Sequence, residues 1–193
     1  MDKNNIQAFS RLCVFGSEAD NIKAAAMRAY RDMCRTIRFR DKKSDKNSSC
    51  YNDALGLITT KIREFCSRRD SEINRNEYDN FHTALCTELT MCYPNDVVEF
   101  FEYGQSQKWV NMTMKYLCIL NEGQLDLIYP YLHVPIDNIV LDAAEKQHNI
   151  PRPRNCWSKL KKEEYDDFQT AIRNTVKKAP MDWEFEIWNN QSK

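Results

Sequence analysis

Apolar residues recur along this chain at steps of three and four, the period of helices with one face turned inward. The pattern predicts a short first helix over residues 1–16, with Ile6, Phe9, Leu12 and Cys13 on its apolar side. Ser17, with Asp20 three residues on, reads as a capping signal for the next helix. That helix, about 18–39, turns Ile22, Ala25, Ala26, Tyr30, Met33, Cys34 and Ile37 to one side. Arg28, Arg31, Arg35 and Arg38 follow the same steps along another face. Residues 40–49, RDKKSDKNSS, hold nothing apolar and predict a polar loop. Two amphipathic helices are expected next, over about 50–68 and 77–92. The first turns Leu55, Ile58, Ile62, Phe65 and Cys66 inward, the second Tyr78, Phe81, Leu85, Leu89 and Cys92. Tyr93-Pro94 ends the second, because proline holds the residue before it away from helix.

The middle of the chain departs from simple amphipathicity. Asn95 or Asp96 is expected to cap a helix about 96–103, and Gly104 to end it at a positive φ. The helix expected after it, about 106–120, is apolar almost all round, through Trp109, Val110, Met112, Met114, Tyr116, Leu117, Ile119 and Leu120. Such a helix is central and buried. Lys108, Asn111 and Lys115 make a narrow polar stripe on it, so the stripe must reach the surface or line a cleft. Asn121-Glu122-Gly123 is expected to close the helix. Pro135 then forces an extended approach to Asp137, which can cap a helix about 138–147. Ile150–Arg154 reads as a rigid connector, and Ser158 as the cap of a charged helix about 159–178. The aromatic tail, residues 180–188, should close the fold by packing Trp183 or Trp188 on the core.

These elements predict an all-α fold, a single domain of about eight helices. Residues 1–94 would form a basic helical lobe, 95–150 the central segment, and 151–193 helices that pack back. The scarcity of Gly (4) and Pro (6) in 193 residues argues against a turn-rich sandwich or barrel. Net charge is zero but unevenly spread: Lys23 to Arg69 holds 13 of the 28 Lys and Arg and 5 of the 28 Asp and Glu. That asymmetry suits a basic face on an otherwise acidic protein, and the arginine stripe could hold a phosphate backbone. The eight cysteines form no CxxC pair, and the first residues form no long apolar run, so reduced thiols in a cytoplasmic protein are expected. No stretch approaches the roughly 18 apolar residues of a membrane span. His82, His133 and His148 are not at metal-ligand spacings, and no phosphate-binding glycine loop is present.

Gly104-Gln105-Ser106-Gln107-Lys108, followed later by Val134-Pro135-Ile136-Asp137, resembles the helix–hairpin–helix DNA glycosylases, especially the 8-oxoguanine branch and its archaeal relatives. The resemblance covers about 50 residues of the chain and rests on these two motifs. Ser106 stands where that family has its second hairpin glycine. The resemblance implies an all-helical base-excising enzyme that acts on double-stranded DNA with a flipped base and needs no metal or cofactor. Lys108 would be the nucleophile and Asp137 its acidic partner. Gly104, Gln105, Ser106, Gln107, Trp109, Asn111, Lys115, His133, Arg31 and Arg35 would contact DNA or the flipped base, with Tyr116 also near the base slot.

A second resemblance is weaker. Arg75 and His82, with six residues between them, fit the motif of helical HEPN ribonucleases, which use the pair for acid–base and phosphate roles. A third reading is a non-catalytic helical domain that binds DNA or a protein through the arginine stripe.

Overall fold

The computed structural model describes residues 2–68, 73–120 and 125–190. Among them are eight α-helices and no strand: α1 (Lys3–Phe15), α2 (Asn21–Met33), α3 (Lys46–Ser67), α4 (Arg75–Met91), α5 (Tyr103–Ile119), α6 (Asn138–His148), α7 (Lys162–Thr175) and α8 (Pro180–Asn190). The fold is all-α. Short 3-10 turns stand at Cys34–Thr36, Tyr129–Tyr131 and Trp157–Lys159. None of the described helices is long and apolar enough to cross a membrane.

α5 is the axis of the molecule. Every residue from Tyr103 to Leu117 is buried, as an all-round apolar helix requires. Its closest neighbour is α2, whose Ala24, Ala25, Ala26 and Ala29 are fully buried. These small side chains let the two helices approach closely. Trp109 fixes the contact, since its indole Nε1–H donates to the Ala26 carbonyl at 2.9 Å. Tyr30 and Tyr51 pack against the same indole, with ring centroids at 4.9 and 6.3 Å.

Helix ends show where local signals compete. Asp20, rather than Ser17, caps α2, because its Oδ1 accepts from the Ile22 and Lys23 amides at 3.0 and 3.3 Å. α2 stops at Met33 and continues only as the Cys34–Thr36 turn, so Arg38 lies beyond the stripe. The polar loop is shorter than its composition suggests, with α3 starting at Lys46. Ser158 falls inside the Trp157–Lys159 turn and does not cap α7. The expected stop at Asn121-Glu122-Gly123 lies outside the described residues.

The largest correction concerns Gly104. No helix spans 96–103; that stretch holds turns and an isolated antiparallel bridge between Phe39 and Val98. α5 begins at Tyr103, so Gly104 is its second residue and does not have a positive φ. The hairpin therefore does not form. Glycine is required here for a different reason. A Cβ at 104 would sit 2.0 Å from the Trp157 carbonyl oxygen and 2.9 Å from the Leu160 nitrogen. The Gly104 amide donates to the Leu160 carbonyl at 3.0 Å, which pins the Trp157–Lys159 turn onto the first turn of α5.

Candidate active site

The segment Val134–Asp137 runs extended between the Tyr129–Tyr131 turn and α6, and among the described residues no backbone group pairs with Val134, Pro135 or Ile136. Val134 and Ile136 are fully buried, so their polar groups need other partners. Side-chain amides supply them. Gln169 accepts from the Val134 amide at 3.3 Å and donates to its carbonyl at 2.7 Å. Gln107 accepts from the Ile136 amide at 3.2 Å and donates to its carbonyl at 3.0 Å. Asn111 Nδ2 lies 3.2 Å from the Val134 carbonyl and 3.1 Å from Gln107 Oε1.

The segment delivers Asp137 to the N-terminus of α6. Its Oδ1 caps that helix by accepting from the Val140 amide at 2.9 Å. Its Oδ2 accepts from Lys108 Nζ at 2.6 Å. The Lys108 side chain is 5% exposed and that of Asp137 14%. The two residues meet although 29 positions separate them.

Lys108 and Asp137 line a cleft of about 500 Å³. A second charge pair lies along the same face of α5, seven residues on. Lys115 Nζ donates to Glu184 Oε1 at 2.8 Å and stands 2.7 Å from Oε2. Glu184 is fully buried, and burial raises its pKa against the opposing pull of Lys115. The Lys115 ammonium also lies 5.1 Å from the ring centroids of both Phe185 and Trp188, within cation–π range. Phe185, Trp188 and Trp157 form the aromatic side of the cleft, with Met112 and Tyr116 on its α5 side. α2 forms the opposite wall. There Arg28 pairs with Asp32, which accepts from the Tyr116 hydroxyl at 2.6 Å. Arg31 and Arg35 are exposed, and among the described residues neither guanidinium makes a hydrogen bond or ion pair.

Lys108, Asp137, Lys115, Tyr116, Arg31 and Arg35 thus share one cleft. The other expected contact residues lie inside the fold, and all but Ser106 have their polar groups already engaged. Gly104 is covered by the Trp157 turn. Gln105 donates to the Thr36 carbonyl at 3.1 Å, and Ser106 is fully buried with no hydrogen-bond partner for its hydroxyl. Gln107 and Asn111 hold the Val134–Ile136 backbone, and Trp109 is committed to Ala26. His133 is 5% exposed and lies 2.6 Å from the Tyr165 hydroxyl and 2.8 Å from Asp79 Oδ1. None of these seven lines the cleft.

Four functional candidates escaped the motifs. Glu184, Phe185 and Trp188 come from the tail, where sequence offers only an acidic, aromatic run with helical period. Trp157 comes from a turn that packs against Gly104.

The Arg75–His82 arrangement does not build a ribonuclease site. Arg75 is exposed at the start of α4, while His82 is fully buried. His82 Nε2 lies 2.9 Å from Asn111 Oδ1, and burial holds its pKa well below the ordinary value, so it is neutral and closed to solvent. No group of three metal-binding side chains occurs among the described residues. No protein-family model, curated protein or solved structure matches the chain.

Proposed function

We propose that this protein excises a damaged or modified base from DNA, with Lys108 as nucleophile and Asp137 as its carboxylate partner. The observation that carries the reading is the 2.6 Å contact between Lys108 Nζ and Asp137 Oδ2 in a cleft walled by unpaired arginines. An amine and a carboxylate held together in a recess match the needs of glycosidic-bond cleavage. Once Nζ has passed one proton to solvent, the amine attacks C1′ of the deoxyribose: an N–C1′ bond forms, the bond from C1′ to the base breaks, and the base leaves with that bond's electrons and takes a proton from solvent. Asp137, ionised, faces the positive charge that develops on the sugar and can take the proton that Nζ then sheds. Opening of the sugar ring leaves an iminium on Lys108, from which strand cleavage can follow.

The rest of the cleft suits a flipped nucleotide. Trp188 and Phe185 offer faces for a base to stack on, and Arg31 and Arg35 stand free to take backbone phosphates. Oxidised guanine, the substrate class of the family that the two motifs resemble, is the first to test.

The test is incubation with duplexes that carry oxidised guanine or other altered bases, with borohydride added to reduce any iminium. A covalent protein–DNA adduct is expected from the native protein and none from folded Lys108→Gln. Neither adduct nor base release across a broad panel would refute the reading. A protein that binds DNA in a salt-sensitive way through Arg31 and Arg35, yet never releases base, is instead a binding module.

A further inference from the structure

We infer that Gln107 is a positioning residue for Asp137, and that its carboxamide, rather than any contact with DNA, is its part in base excision. The inference rests on the glycosylase reading for its kinetic consequence, while the geometry behind it stands by itself. Asp137 is held from two sides. On its C-terminal side its own Oδ1 is fixed by the Val140 amide. On its N-terminal side the preceding residue, Ile136, is gripped through both its amide and its carbonyl by Gln107, and no other partner for either group occurs among the described residues. Gln107 is itself immobilised. Its Nε2 donates also to the Gly104 carbonyl at 3.0 Å, and its Oε1 accepts from Asn111 at 3.1 Å.

Gln107 and Lys108 are consecutive on one rigid helix, so their side chains diverge by about 100°. One grips the strand that carries Asp137, while the other reaches Asp137 itself. The distance from nucleophile to carboxylate is thereby set by two neighbouring residues of α5. A side chain displaced by about 1 Å can cost on the order of 100-fold in rate, so the grip has kinetic weight. Gln169 grips Val134 in the same bidentate way two residues earlier and serves as the internal control. It holds the segment without touching the residue next to Asp137.

The experiment compares Gln107→Met, Gln107→Asn and Gln169→Met with the native protein, each shown to be folded by circular dichroism. Single-turnover base release and DNA affinity are measured separately. In parallel, peptide-resolved reductive methylation reads the reactivity of Lys108 against that of Lys115. The Gln107 variants should release base about 100-fold more slowly with unchanged DNA affinity, and Lys108 should be methylated faster relative to Lys115. Gln169→Met should lose stability yet keep its rate. Native-like base release by a folded Gln107 variant overturns the inference, as does an equal loss of rate in Gln169→Met. Should the native protein release no base at all, the glycosylase reading fails and methylation decides alone. Unchanged Lys108 reactivity in both Gln107 variants then overturns the positioning role, and faster methylation upholds it.

Discussion

Gly104→Ala separates two accounts of the same glycine. If Gly104 serves a backbone approach to DNA, alanine should weaken DNA binding and leave the folded protein intact. If it serves packing, alanine should damage the fold. The new Cβ would stand 2.0 Å from the Trp157 carbonyl oxygen. Non-bonded contacts of this kind settle near 3.5 Å, so the Trp157–Lys159 turn must retreat by more than roughly 1 Å. The bond from the Gly104 amide to the Leu160 carbonyl, now 3.0 Å, would stretch past useful length. Overpacking of this sort costs about 1–3 kcal/mol and the lost hydrogen bond about 0.5–1.5 kcal/mol. Alanine's better helix propensity returns at most about 1 kcal/mol. The net loss should lie near 1–3 kcal/mol, and each kcal/mol should lower the melting temperature by about 2–4 °C in a chain of this size. Urea unfolding with tryptophan fluorescence measures it. Native-like stability combined with lost DNA affinity would refute the packing account.

Two further outcomes follow from buried charge. Lys115→Met should cost about 3–5 kcal/mol because it strands Glu184, whereas Lys115→Met with Glu184→Met should recover most of that loss. Strictly additive unfolding free energies across the cycle would show that the pair is not coupled. Stability should also fall on acidification. Burial lowers the pKa of His82 and, with Arg173, that of His133, so both are neutral when folded. The unfolded chain takes up protons as pH falls through about 6.5, and the folded protein does not until lower pH. The stability contributed by each neutral histidine is thus present above about 6.5 and lost below it, at about 1.4 kcal/mol per pH unit per histidine. Asp79 acts in the same direction at lower pH: although burial opposes it, His133 and Arg173 hold its carboxyl below the usual range. Denaturant midpoints between pH 7 and pH 5 test this, and a flat profile would contradict the neutral assignment of the histidines.

Legibility in the sequence divides along physical lines. Helices whose apolar period is strong, such as α3 and α4, stand close to where the pattern puts them. The central, all-round buried helix was readable from composition alone, since no exposed helix carries so few polar positions. The polar stripe was readable as well, but not its sense. Periodicity says that Lys108, Asn111 and Lys115 lie near one another and says neither which of them faces a cleft nor that Gln107 joins Asn111 on the side away from it. Direction divides them, with both lysines lining the cleft and the amides facing the Val134–Ile136 backbone. The partner of Lys115 lies 69 residues away in the tail, and no local signal announces it. The helix expected over 96–103 failed because its capping residues and apolar run are equally satisfied by turns and one bridge to Phe39.

The two-motif pattern finds two residues that meet even though its hairpin is absent, and helix geometry supplies a reason. Residues i and i+4 share a helix face, so Gly104 and Lys108 lie one above the other. A glycine at 104 opens that face to close approach, and the Trp157–Lys159 turn occupies it. Lys108 then projects directly beside the docked turn, which is why Trp157 and Lys108 line the same cleft. The spacing from glycine to lysine therefore keeps its meaning under a different contact. It places a lysine one turn beyond a crowded helix start, with one side closed by backbone and the other open to Asp137. The retreat that Gly104→Ala forces on the turn should accordingly reach Lys108 as well. A Gly104→Ala protein that stays folded should show a wider cleft at Trp157 and faster methylation of Lys108. A change confined to DNA affinity would leave the link between the two positions without support.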